Sequence, residues 1–293
     1  MSSETPLTSG QVSQFVLFGN VIGVCAPLFI RSTYYAIKEP KSRFIRILKG
    51  VMTFFMLVKT SLFIAMAAPN GANCRALGLS ADIFYHTSMV AGAGVLFKRI
   101  EAVISFQYKS QIRILHYLIM ATRFIVGMVD VGLVHVSPST SGSCDYLDMH
   151  VIGIIYTTLD TAIDFYATCI ICLVLTRHMR KLNKEGLIAV NAQQYFAIVI
   201  YNCTRTTLLT IVNLIAAIGI ASNLGNRYFI PLVSTLWPIT NLLFVSLIGY
   251  DTDLTEVIRN MQNRFQDKSA NLFDLALPPL AESSPNRSPD TVM

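Results

Sequence analysis

The chain has 293 residues, 53% of them hydrophobic and 14% charged, with a formal net charge of +6. Soluble domains carry roughly a quarter charged residues, so this composition excludes a disordered chain, a collagen-like chain and an ordinary water-soluble enzyme. Six cysteines in this length are too sparse for a disulfide scaffold.

The apolar residues gather into long blocks, and a membrane helix takes about 20 of them. The expected fold class is all-α: a polytopic membrane protein with a seven-transmembrane helix bundle and a short C-terminal surface helix. Residues 1–11 hold no Lys or Arg, unlike a cleaved signal peptide, so the first span reads as an uncleaved anchor behind an extracellular N-terminus. Spans are predicted over Val12–Ile30, Ile47–Ala68, Leu77–Phe97, Ile114–Val136, Met149–Thr176, Tyr195–Ala221 and Phe229–Tyr250, so that the transmembrane domain occupies 12–250. Pro27, Pro231 and Pro238 are expected to bend their helices. In 251–266, Leu254, Val257, Ile258, Met261 and Phe265 share one helical face opposite Arg259 and Arg264, the pattern of an amphipathic surface helix. Residues 267–293 are rich in Pro and Ser toward the end and read as a disordered cytoplasmic tail.

Basic residues orient the spans. Lys38, Lys41, Arg43, Arg46 and Lys49 fall in the first connection. Lys98, Arg99, Lys109 and Arg113 fall in the third, and Arg177, Arg180, Lys181 and Lys184 in the fifth. The even-numbered connections hold only Arg75 and Arg227. Short cytoplasmic loops keep the excess of Lys and Arg, which predicts a multi-pass protein, at the plasma membrane by default, with its N-terminus outside and its C-terminus cytoplasmic. The charge thus needs the lipid bilayer as partner and no nucleic acid.

Cys74 and Cys144 fall outside the spans on the oxidising side, where a bridge is chemically allowed and two free thiols are the alternative. Charges within spans are costly and face a partner or a cavity; here they are Lys59, Asp82, Arg123, Asp130, Asp160, Asp164 and Arg205. Asp160 and Asp164 lie four apart on one face, with Arg123 and Arg205 as plausible partners. Asp82, Tyr85 and His86 are expected near the outer mouth. These groups would either bind a polar ligand or fix helix order as buried pairs. Lys59, and Trp237-Pro238 followed by Asn241, are candidate switch elements, with passive packing as the alternative.

Seven spans, an outside N-terminus, a basic third inner loop and a surface helix after the last span resemble a G protein-coupled receptor of the rhodopsin-like class. In that class a cysteine opens the third helix and bonds to the second outer loop, as Cys74 and Cys144 would. Arg99 stands 25 residues after Cys74, where the family has the arginine of D-R-Y, and Lys98-Arg99-Ile100-Glu101-Ala102-Val103-Ile104 is similar to D-R-Y-x-A-I. Lys98 replaces the acidic residue and Ile100 the tyrosine. The resemblance implies a divergent, orphan receptor for an unknown extracellular ligand held near Asp82, His86, Asp160, Asp164, Arg123 and Arg205. It also implies a heterotrimeric G protein met by Arg99, Lys98, Arg177, Arg180 and Lys181.

The competing reading is a small seven-helix transporter or lipid exporter, with Asp160, Asp164 and Arg205 as a proton or substrate path; small fungal exporters are of similar size. A retinal pump is a poor fit, because Phe229–Tyr250 contains no lysine. His86, His116, His135, His150 and His178 are scattered, with no H-E-x-x-H and no glycine-rich phosphate loop. No enzyme activity, metal or cofactor is expected.

Overall fold

The computed structural model describes residues 9–38, 43–68, 73–104, 108–138, 143–147, 150–184, 200–201, 203–215, 218 and 230–250. The expected surface helix 251–266 and tail 267–293 lie outside them. The described chain is all-helical apart from one short hairpin. The helices are α1 (Ser9–Lys38), α2 (Arg43–Ala67), α3 (Cys74–Val103), α4 (Lys109–Leu133), α5 (His150–Lys184), α6 (Cys203–Ile215) and α7 (Ile230–Gly249). Strands β1 (His135–Pro138) and β2 (Cys144–Leu147) pair antiparallel, with Val136 opposite Tyr146 and Pro138 opposite Cys144.

Four of the described helices are long and apolar enough to cross a membrane, over Val12–Lys38, Arg43–Ala67, Lys109–Leu133 and Val151–Val174. They mark the chain as a membrane protein. Seven spans are expected from the sequence, and seven helices lie among the described residues; of the other three, α6 and α7 offer shorter apolar stretches, Cys203–Ile215 and Leu236–Gly249, whereas α3 is long but polar. It carries Asp82, Tyr85, His86 and Ser88 along its length, all buried. A helix can hold such residues when protein rather than lipid surrounds it. α3 packs against α2, α4, α5 and α7, so it occupies the middle of the bundle.

The bundle is apolar on its outside. On α4, the buried residues are His116, Arg123, Gly127 and Asp130, whose spacing of 7, 4 and 3 marks one face. Ile114, Leu118, Ile125, Val129 and Leu133 are exposed on the same helix. A soluble amphipathic helix has the opposite arrangement. The apolar core still exists between the helices: Val21, Cys25, Leu28, Met52, Met56, Leu96, Phe97, Phe244, Val245 and Ile248 pack together there.

Asn73 starts α3 by accepting from the Ala76 amide at 3.1 Å, a side-chain cap. The fourth predicted span ran to Val136, but α4 stops at Leu133. The Val134 amide closes on the Asp130 carbonyl at 2.9 Å, and the chain then extends into β1. Val136 resembled a span residue because it is apolar; it instead packs against Gly78 at the start of α3, where a larger residue would collide with it.

Candidate functional site

Four polar side chains from three helices meet in the interior. Arg123 of α4 is fully buried (0% exposed), as is His86 of α3. The Arg123 guanidinium grips the Asp160 carboxylate of α5 with two donors: Nε meets Oδ1, and Nη2 reaches Oδ2 at 2.9 Å. Its third arm, Nη1, lies 3.0 Å from His86 Nδ1. Guanidinium nitrogens only donate, so Nδ1 must accept and the ring proton sits on Nε2. That N–H donates to Asp130 Oδ2 at 2.8 Å. The imidazole is thus held neutral, in one tautomer, between a cation and a carboxylate. Arg123 also lies over the Tyr156 ring, 5.5 Å from its centroid.

Gly127 makes room for this arrangement. A Cβ there would stand 2.6 Å from His86 Cγ and 2.8 Å from Nδ1. Gly127→Ala is therefore expected to displace the ring and cost about 2 kcal/mol, read as a lower thermal midpoint of the purified protein. Gly132→Ala, on the same helix, meets nothing within 4 Å and is expected to be neutral or slightly stabilising.

Asp82 lies one turn from His86 but joins a different group. Its Oδ1 accepts from the Tyr146 hydroxyl of β2 at 2.6 Å. The hairpin carrying Tyr146 is tied to α3 by the Cys74–Cys144 disulfide, whose Cα atoms stand 5.4 Å apart. The bridge allowed by the sequence is therefore formed. Beneath the hairpin, Lys59 of α2 is 3% exposed. Its ammonium faces three rings, at 4.7 Å from the Phe63 centroid, 5.1 Å from Tyr85 and 5.6 Å from Trp237. Tyr146 closes the cluster, 5.4 Å from Phe63 and 5.7 Å from Trp237. Pro238 lies inside α7 directly after Trp237, and Asn241 is buried one turn on.

The second half of the expected polar set is arranged differently. Arg205 is one of the two expected partners of the Asp160 and Asp164 face, but no ion pair joins it to Asp164 among the described residues. They are only electrostatic neighbours. Arg205 Nη2 instead reaches Thr168 Oγ1 at 3.4 Å, and Thr168 bonds Thr206. Asn213 Nδ2 donates to Thr161 at 3.2 Å, and Cys172 Sγ lies 3.6 Å from Cys203 Sγ. These contacts join α5 to α6. Of Cys169 and Cys172, read as packing residues, the second has this thiol neighbour.

At the far end from the hairpin, three side chains hold the last carbonyls of α7. Lys49 Nζ of α2 donates to Gly249 O at 2.8 Å, Arg99 Nη2 of α3 to Ile248 O at 3.4 Å, and the Tyr201 hydroxyl to Leu247 O at 2.7 Å. A helix leaves its last carbonyls without intrahelical partners and carries partial negative charge there. Two cations and a hydroxyl from separate segments answer both needs. Beside this clasp, Lys98 pairs with Glu101 at 2.8 Å, and Glu101 also faces Arg113 and His116 at 3.6 Å. His116 stacks on Phe97 at 4.3 Å and meets the Tyr166 hydroxyl at 3.2 Å. Arg177 is exposed on α5. Arg180 and Lys181 belong to the same helix, with side chains outside the described residues.

No family model matches the chain, and no curated protein matches it. Sequence reasoning offered Arg123 and Arg205 as partners of the Asp160 and Asp164 face, of which Arg123 meets Asp160, and it allowed a Cys74–Cys144 bridge. It missed the roles of Asp130, Tyr146, Lys49 and Tyr201. Asp130 shares the buried face of α4 with Arg123 at a spacing of seven, a signal open to inspection. The other three act through tertiary contacts that no local spacing announces.

Proposed function

We propose that the chain is a seven-helix receptor, similar to G protein-coupled receptors, that senses an extracellular ligand at its hairpin end and signals from its opposite, cytoplasmic end. In this reading all seven helices cross the plasma membrane, with the N-terminus outside. The carrying observation is the clasp on α7. Lys49, Arg99 and Tyr201 draw three segments onto one helix end, a closed state that a small number of bonds maintains. α3 runs from the disulfide to Arg99 and so links the two ends. A ligand that shifted α3 or α7 would act on a two-state bundle, and release of the clasp would free Arg99 for a partner such as a heterotrimeric G protein.

Each charged hydrogen bond of this kind is worth about 1.5–3 kcal/mol. Lys49→Met and Tyr201→Phe, which loosen the clasp and keep Arg99, are expected to raise ligand-independent nucleotide exchange on G proteins by roughly tenfold, with the full chain delivered to the membrane in unchanged amount. Unchanged exchange in both variants would sink the receptor reading.

A transporter is the second reading, and one observation favours it. The interior network sets one guanidinium against two carboxylates and an imidazole, the parts of a proton relay. Proton-driven flux in proteoliposomes that falls with Asp160→Asn would decide for it.

A further inference from the structure

We propose that Lys59 and the rings around it form a binding site for a small carboxylate with an apolar body, most simply an arylalkanoate. This rests on the receptor reading and names its ligand class. An ammonium has three donors, and among the described residues no acceptor stands within hydrogen-bond distance of Lys59 Nζ. Three faces of π-electrons surround it instead. Ring faces attract a cation, yet they leave each N–H without an acceptor at a site that is almost wholly shielded from water. Asp82 is a through-space neighbour of Lys59, but no hydrogen bond joins the two; Asp82 Oδ1 accepts from the Tyr146 hydroxyl.

A buried cation is therefore bordered by aromatic rings. Phe63, Tyr85, Tyr146 and Trp237 come from α2, α3, the hairpin and α7. A ligand carboxylate would supply an acceptor that the described residues do not give the ammonium, and its apolar body would lie among the rings. The nearby Asp82 charge limits the preference to a monoanion, since a second negative charge would meet a carboxylate. The same Lys59 charge disfavours an amine ligand.

Trp237 is the only tryptophan of the chain, and it borders Lys59. Its fluorescence therefore reports on this place alone. The full chain in lipid nanodiscs is titrated with 3-phenylpropionate, 3-phenylpropanol, 3-phenylpropylamine and inorganic phosphate. A saturable change with the propionate only is expected. Lys59→Met should weaken it roughly tenfold or more, and Lys59→Arg should retain it. Asp82→Asn keeps an acceptor for Tyr146 and should strengthen it, which provides a reading even where Lys59→Met does not fold.

Equal response to the alcohol, selective response to the amine or phosphate, no saturable response, or indifference to both Lys59→Met and Asp82→Asn would each overturn the proposal. The clasp experiment uses no ligand, so failure here leaves the receptor reading intact. Failure there leaves a carboxylate site on a protein of another function.

Discussion

Arg123→Met is expected to lower the stability of the folded bundle by about 3–5 kcal/mol, the range seen when one partner of a buried ion pair is removed. Two groups lose their partner at once, and a third loses support. Asp160 loses both donors, and the His86 Nδ1 lone pair loses the only hydrogen bond given to it. Asp130 then rests on an imidazole that nothing holds in register. Arg123→Lys should rescue little, because one ammonium cannot grip Asp160 with a planar fork and also reach His86. Asp160→Leu combined with Arg123→Met should lose less than Arg123→Met alone, since no buried carboxylate is then stranded. Thermal midpoints of the four proteins, purified in one detergent, decide the matter. A Met variant as stable as the parent would show that the network contributes nothing to holding α3, α4 and α5 together.

The sequence shows how much of this follows from composition alone. Charged residues in apolar blocks are so costly that they announce a partner, which is why Arg123 and Arg205 could be set against Asp160 and Asp164 before any coordinates. The rule ranks residues by cost and cannot choose among partners of the same sign. Arg205 and Asp164 satisfy it equally well on paper, yet Arg205 turns to Thr168. The choice depends on helix rotation, which is set by contacts between whole faces. Neither helix end was legible from apolar content: the third span was predicted from Leu77, although α3 starts at Cys74 behind the Asn73 cap, and the fourth ran past Leu133, where the apolar residues continue into a strand.

The α7 clasp was invisible because its acceptors are backbone carbonyls, which every residue has. Arg99 and Lys49 carried a hint in being cations near predicted span ends. Yet span-end cations also follow from topology, so the hint could not be separated from the positive-inside pattern. Lys59 shows the same limit from another side. Its position inside an apolar block marked it as special, but only the fold brings Phe63, Tyr85 and Trp237 around it.

Loss of the Cys74–Cys144 bridge is expected to have the second large effect. The two residues are 70 apart in sequence, and closing a loop of that length in a free chain is worth about 4 kcal/mol. A chain whose two intervening helices stay in a bilayer is already confined before it folds, so the observed loss should fall toward about 2 kcal/mol. Cys74→Ser, Cys144→Ser and the double variant should lose the same amount, because either change removes the whole bond. The consequence reaches further than stability. Cys144 begins the strand that carries Tyr146, and Tyr146 holds Asp82 and borders Trp237. A hairpin released from α3 should therefore alter Trp237 fluorescence, whereas Tyr146→Phe should alter it while leaving most of the stability in place. Single variants that differ from each other, or a double variant that loses the sum of both, would show that the two sulfurs act separately and that the hairpin is held to α3 by other contacts.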